Sequence, residues 1–145
     1  MKTSELCKKD VVTVASTAPL TDVSKMMRKR HVGSVVVTNS GIPMGIVTDR
    51  DIVVEVIAMG LDPATVTAKD VMSSSPAVIG AEDDVMWALK TMRDRGVRRL
   101  PVVDERGQLQ GIIAFDDLMQ HVGTTLADIA HVIGTERLVE SIHRV

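Results

Sequence analysis

Residues 11–52 read VVTVASTAPLTDVSKMMRKRHVGSVVVTNSGIPMGIVTDRDI, and residues 77–118 read AVIGAEDDVMWALKTMRDRGVRRLPVVDERGQLQGIIAFDDL. Laid over one another they keep register. Val14 falls on Ile79, Val23 on Ala88, Met27 on Met92, Arg28 on Arg93, Arg30 on Arg95 and Val32 on Val97. Past the next turn the interval grows by a single residue, and Gly45-Ile46-Val47 falls on Gly111-Ile112-Ile113. A register held through several elements marks an internal duplication. One insertion in a hairpin accounts for the shift.

Within each copy the hydrophobic period changes in the same order. A short apolar strand (Val11 to Val14; Ala77 to Ile79) precedes a polar turn and then a helical pattern. In the first copy that pattern is Leu20, Val23, Met26 and Met27; in the second it is Val85, Ala88, Leu89 and Met92. Basic residues crowd the end of this helix, where cations suit the macrodipole. Two β-branched runs follow, Ser34 to Thr38 and Ile46 to Thr48, joined by a turn with Gly41 and Pro43; Gly107 marks the turn of the second copy. A last helix, Asp51 to Met59, stops at Gly60. The spacing therefore predicts a mixed α/β (α+β) fold made of two β-α-β-β-α units. One such unit is too small to cover both faces of its sheet, so the two are expected to pack sheet to sheet about a pseudo-two-fold axis. The units are assigned to residues 1–66 and 67–123, with Thr67 and Asp70 framing a short helical start and residues 124–145 forming a helical extension.

Composition narrows the function. Hydrophobic residues make up 45% of the chain, with one Trp, one Phe and no Tyr, so the core is aliphatic. Seventeen Lys and Arg against nineteen Asp and Glu leave a net charge of −2. That is no electrostatic footprint for nucleic acid, and base-stacking aromatics are scarce. The single cysteine, Cys7, can form no intramolecular disulfide, and Met1 to Asp10 lacks the apolar segment of a signal peptide. No apolar run is long enough to span a bilayer. A cytoplasmic protein without a membrane partner is expected.

Three stretches carry a resemblance: Gly45-Ile46-Val47-Thr48-Asp49-Arg50-Asp51-Ile52, Val97-Arg98-Arg99-Leu100-Pro101-Val102-Val103-Asp104, and Gly111-Ile112-Ile113 with Asp116-Asp117-Leu118. At these intervals the chain resembles a tandem pair of cystathionine-β-synthase (CBS) domains, or Bateman module, from about Met1 to Gly123. The resemblance implies a non-catalytic regulatory module that binds an adenine nucleotide such as AMP, ADP or ATP in clefts between the repeats. S-adenosylmethionine and NAD are further candidates, and neither a catalytic cofactor nor a metal is implied. It also implies a homodimer and a client protein whose identity the sequence does not carry.

Carried over by position, the first cleft takes Ile46, Thr48 and Asp51, with Ala77 and Val78 framing the base and Arg98 and Arg99 near the phosphate. The second takes Ile112, Asp116 and Asp117, with Cys7, Val12, Val32 and Gly33 around the base. A carboxylate at a helix start can accept both ribose hydroxyls, while a Thr hydroxyl, free helix N–H groups and Arg suit a phosphate. Ala114 stands in the second cleft where a hydroxyl is expected, and Gly33-Ser34 stand where the other copy has Arg98-Arg99. The first cleft is therefore expected to bind more tightly, and the second to lack a basic pair.

Each residue also has a plainer reading. Asp51 and Asp117 suit helix caps, Arg98 and Arg99 suit strand-edge charges, and Thr48 suits any strand. Lys25, Arg28, Lys29 and Arg30 read as a solvated helix face, Glu82-Asp83-Asp84 as first-turn dipole complements, and Cys7 as a small core residue. The four histidines show no metal-ligand spacing. Two functions compete with a sensor: a structural dimerisation protein with degenerate clefts, and a nucleotide-processing enzyme. The enzyme is disfavoured because no nucleophile with a partner base lies near Asp51 or Asp117 in the sequence. Leu126, Ile129, Ala130 and Ile133, then Leu138, Val139 and Ile142, continue at helical spacing and need a partner in their own module or in a second subunit.

Overall fold

A computed structural model describes residues 1–144. The first half contains α1 (Thr3–Leu6), β1 (Thr13–Ala15), α2 (Leu20–Arg30), β2 (Ser34–Asn39), β3 (Ile42–Thr48) and α3 (Asp49–Ile52), which runs on as a π-helical turn over Val53–Ile57. The second half contains α4 (Ala68–Val71), β4 (Ser73–Ser74), β5 (Ile79–Gly80), α5 (Val85–Arg95), β6 (Arg99–Val103), β7 (Leu109–Ala114) and α6 (Phe115–His143). Each half builds the same sheet. β1 lies parallel to β2, and β2 antiparallel to β3; β5, β6 and β7 repeat the arrangement. Even the irregularities repeat, with a bulge after Val37 and another after Val102.

Strand alternation builds two cores. Val35, Val37 and Val47 of the first sheet meet Leu20, Val23, Met27, Ile52 and Val56 from its helices. Leu100, Val102 and Ile113 of the second meet Val85, Ala88, Met92 and Leu118. Between core residues, Val36 and Pro101 point to the opposite faces of their sheets. Both are fully buried although they belong to neither core. The two sheets therefore cover one another with these faces, as the duplication predicts.

The halves also exchange the segments that lead into them. Residues at the start of the chain pack on the second core, where Cys7 is buried beside Leu6 and where Thr3 and Ser4 donate their N–H groups to Asp83 and Ala81. Val66, Ala68, Val71 and Met72, which precede the second repeat, pack on the first core. α4 starts where Thr67 gives its N–H and its hydroxyl to the Asp70 carboxylate, both at 2.9 Å. Those bonds, the backbone one first, hold the Asp70 carboxyl below its ordinary range.

Two expectations about elements change. The first strand forms over Thr13–Ala15 rather than from Val11, and its first ladder bond runs from the Val36 N–H to the Val12 carbonyl at 3.0 Å. The last helix of the second copy does not stop. α6 runs unbroken through Gly123, so the extension is part of the same 29-residue helix.

Gly45 and Gly111, equivalent in the two repeats, sit where the exchanged segments come closest. A Cβ on Gly111 would lie 2.6 Å from Cys7 Sγ and 2.8 Å from the Lys8 carbonyl; on Gly45 it would lie 2.7 Å from the Ser73 carbonyl. Gly111→Ala is expected to cost about 1–3 kcal/mol through overpacking and to loosen residues 1–8. Urea unfolding measures the first effect, and hydrogen exchange at the Lys8 amide, which bonds the Ile112 carbonyl at 2.9 Å, measures the second.

Candidate functional site

The two clefts are built by the same local chemistry. After β3 the chain turns into α3, and the Asp51 carboxylate accepts the Thr48 N–H at 2.8 Å while Thr48 Oγ accepts the Asp51 N–H at 3.1 Å. After β7 the Asp117 carboxylate accepts the Ala114 N–H through Oδ2 at 3.0 Å. The side chains that cap these helices are thus the ones the sequence singles out as candidate ligand groups. One oxygen of each carboxylate is engaged by the cap, which leaves the other oxygen for a further partner.

The edges beside these carboxylates are covered by the exchanged segments. Ser73 pairs with Ile46, and Lys8 pairs with Ile112 through two backbone bonds of 2.9 Å. Lys8 thus stands in the second cleft where the first has Ser73. Its ammonium lies 3.0 Å from Asp117 Oδ1, with the Asp117 side chain only 12% exposed. Asp51 has no cation partner among the described residues.

A cavity of about 250 Å³ opens between the halves at the second cleft. Val12, Val32, Gly33, Ile112, Asp116 and Asp117 line it, together with Lys8, His31 and Arg99. Asp10 is engaged by Arg30 at 2.6 Å and Asp116 by Arg98 at 3.0 Å, leaving Arg99 as the guanidinium on the cavity without a carboxylate partner among the described residues. Arg99 lines this cavity, and Arg98 turns to Asp116 on the same side. Lys8 and Arg99 thus place basic groups at the second cleft. Cys7 packs in the second core and does not line the cavity. Ser34 and Arg99, at the starts of β2 and β6, line the same cavity, so a side chain at either start reaches it. Lys8 escaped the sequence argument because its place beside Asp117 comes from its long-range pairing with Ile112.

The remaining candidates of the first cleft are spread along its rim. Ile46, Thr48, Asp51 and Ala77 are half-buried, while Val78 is exposed. Among the described residues no group of three His, Cys, Asp or Glu side chains is arranged to hold a metal ion, and no helix is long and apolar enough to cross a membrane.

This architecture, two β-α-β-β-α units with paired clefts at their junction, defines a tandem-repeat α/β fold. The CBS domain family matches the chain twice, over residues 4–58 and 68–124, and the chain belongs to that family. An uncharacterised protein of Methanopyrus kandleri is 38% identical over 80% of this chain, and the match spans only 60% of that protein's length. Hypoxic response protein 1 of Mycobacterium tuberculosis is 33% identical, with 77% of this chain and 78% of that protein covered. Among solved structures, a CBS domain protein of Pyrobaculum aerophilum complexed with AMP superposes with a TM-score of 0.75 at 32% identity, covering 81% of this chain and 90% of that one.

The Lys8–Asp117 pair contributes little to the fold. With Lys8 70% exposed, Lys8→Met is expected to cost less than about 1 kcal/mol. Asp117→Ala removes the bond to the Ala114 N–H and is expected to cost about 1 kcal/mol or more as a lost cap. Urea titration of both variants checks the order.

Proposed function

We propose that the chain is a non-catalytic regulatory module that binds an adenine nucleotide between its two CBS repeats and reports occupancy to a client protein. AMP, ADP and ATP are the leading ligands. In this reading residues 1–66 and 67–123 are the repeats in chain order, residues 124–145 are an appendage for assembly, and the module acts as a homodimer in the cytoplasm. The observation that carries the reading is the cavity between the halves, with a shielded carboxylate, an unpaired guanidinium and aliphatic walls around it. Its volume of about 250 Å³ lies just under the usual range for small-ligand pockets, which starts near 300 Å³. Displacing the Lys8 ammonium from Asp117 makes the extra room.

The chemistry assigns roles to both clefts. Asp117 takes the ribose in the second cleft, Val12, Val32 and Ile112 flank the base, Gly33 leaves the entrance open, and Arg99 takes the phosphate. Asp116 holds Arg98 at the rim. Released from Asp117, Lys8 becomes a second cation for the phosphate. The first cleft uses Asp51 for ribose, the Thr48 hydroxyl for a polar ligand group, and Ile46, Ala77 and Val78 for the base. The AMP complex of the Pyrobaculum aerophilum relative supports the ligand class. Binding regulates only if the ligand favours one arrangement of the two halves over another. A cleft that joins those halves couples naturally to such a change. A structural role in dimerisation is the second reading, favoured by the exposed apolar side chains on α6.

Titration calorimetry with AMP, ADP, ATP, NAD and S-adenosylmethionine tests the proposal. Saturable heat with an adenine nucleotide and no turnover is the expected result, and no heat with any of them leaves only the structural role. Arg99→Ala is expected to weaken AMP by a factor of about ten to a hundred, the worth of a hydrogen bond to a charged group, and to leave adenosine unaffected. Added salt weakens AMP in the same direction. Asp51→Ala and Asp117→Ala separate the clefts: whichever abolishes the tighter event identifies its site.

A further inference from the structure

We propose that Lys8 is the selectivity residue of the second cleft: its ammonium competes with a ribose for Asp117, and it yields to ligands that bring a phosphate of their own. On the nucleotide reading above, on which this rests, the second cleft thereby prefers a nucleoside monophosphate to the bare nucleoside. Both oxygens of Asp117 are engaged. Oδ2 accepts the Ala114 N–H at 3.0 Å, and Oδ1 lies 3.0 Å from Lys8 Nζ. The first bond belongs to the start of α6, so the ammonium is the partner a ribose hydroxyl can replace. Exposure makes the exchange unequal for the two ions. The Lys8 side chain is 70% exposed and that of Asp117 only 12%. Lys8 therefore returns to water easily, whereas Asp117 is left with a shielded charge that an uncharged diol does not neutralise.

The exchange is confined to a side chain. The Lys8 N–H and carbonyl each bond Ile112 at 2.9 Å, and the Lys8 carbonyl stands 2.8 Å from where a Gly111 Cβ would lie. The main chain is thus fixed on the edge of β7, and only the flexible four-carbon stem swings. A phosphomonoester carries a charge of about −1.5 to −2 at neutral pH. On the cavity wall Asp10 is held by Arg30 and Asp116 by Arg98, so neither carboxylate draws Lys8 away from such a group. Arg99 supplies one positive charge for the phosphate, and the released Lys8 supplies a second. A nucleoside displaces the same ammonium and offers it no new partner.

The first cleft has no such device. Ser73 takes the edge position there, and Asp51 has no cation partner among the described residues. A ribose meets no competing ammonium at Asp51. Discrimination by Lys8 is therefore a property of one cleft, set by a residue outside both β-α-β-β-α units.

Titration calorimetry of the full chain with AMP and with adenosine is the test, and the event to follow is the one that Asp117→Ala abolishes. Lys8→Met keeps the apolar stem and removes the charge. It is expected to tighten adenosine by up to about five-fold, the worth of an exposed ion pair. The preference for AMP over adenosine is expected to fall by about ten- to a hundred-fold, the worth of a hydrogen bond to a charged group. Lys8→Arg is expected to retain the preference. Arg99→Ala serves as the contrast, because it frees no carboxylate and leaves adenosine unchanged. Adenosine that binds Lys8→Met no more tightly, or an AMP preference that survives in it, overturns the inference alone. So does an AMP event that persists in Asp117→Ala, since AMP then occupies the first cleft. A native chain that gives no saturable heat with either ligand overturns the nucleotide reading as well.

Discussion

Each half of this molecule is completed by chain that belongs, in sequence order, to the other half. The antiparallel bridge between Lys8 and Ile112 and the short pairing of Ser73–Ser74 with Gly45–Ile46 place a foreign segment on the free edge of each sheet. That contact satisfies backbone groups which a three-stranded edge would leave open. It also carries Cys7 into one core and Met72 onto the other. Neither half can separate from its partner without exposing a core and breaking an edge. The fold therefore behaves as one unit, although two repeats encode it.

The clefts are a by-product of that exchange. Because the segments cross at the strand edges, they line the junction just where α3 and α6 begin, and each helix start presents a carboxylate already oriented by its own cap. The cap holds the side chain in one orientation, so the bond that stabilises each helix start also fixes where its carboxylate stands in the cleft. The difference between the clefts also arises in the exchanged segments. Lys8 on one side and Ser73 on the other give one carboxylate a cation and leave the other without one.

The same symmetry explains the arginines. Val36 and Pro101 bury the sheet-to-sheet contact, and the residues next in the pleat, Ser34 and Arg99, line one cavity. A long guanidinium side chain there selects a cleft by available space and charge, not by the repeat that encodes it. Arg98 finds Asp116 at 3.0 Å and packs over Phe115, while Arg99 remains on the cavity wall without a carboxylate.

The sequence by itself determined the duplication, the order of elements, the β-branched runs that become the strands, and the identity of Asp51 and Asp117 as residues at helix starts. All of these follow from period and register, which are local properties of the chain. Three matters were decided only in three dimensions. The crossing of the lead-in segments brought Lys8 to Asp117, more than a hundred residues away. The cavity shared by the starts of β2 and β6 set Arg99 on the wall of the second cleft. The uninterrupted run of α6 past Gly123 joined the extension to the second repeat. Each depends on how two halves meet, and no periodicity within one half can encode the side-chain neighbours supplied by the other.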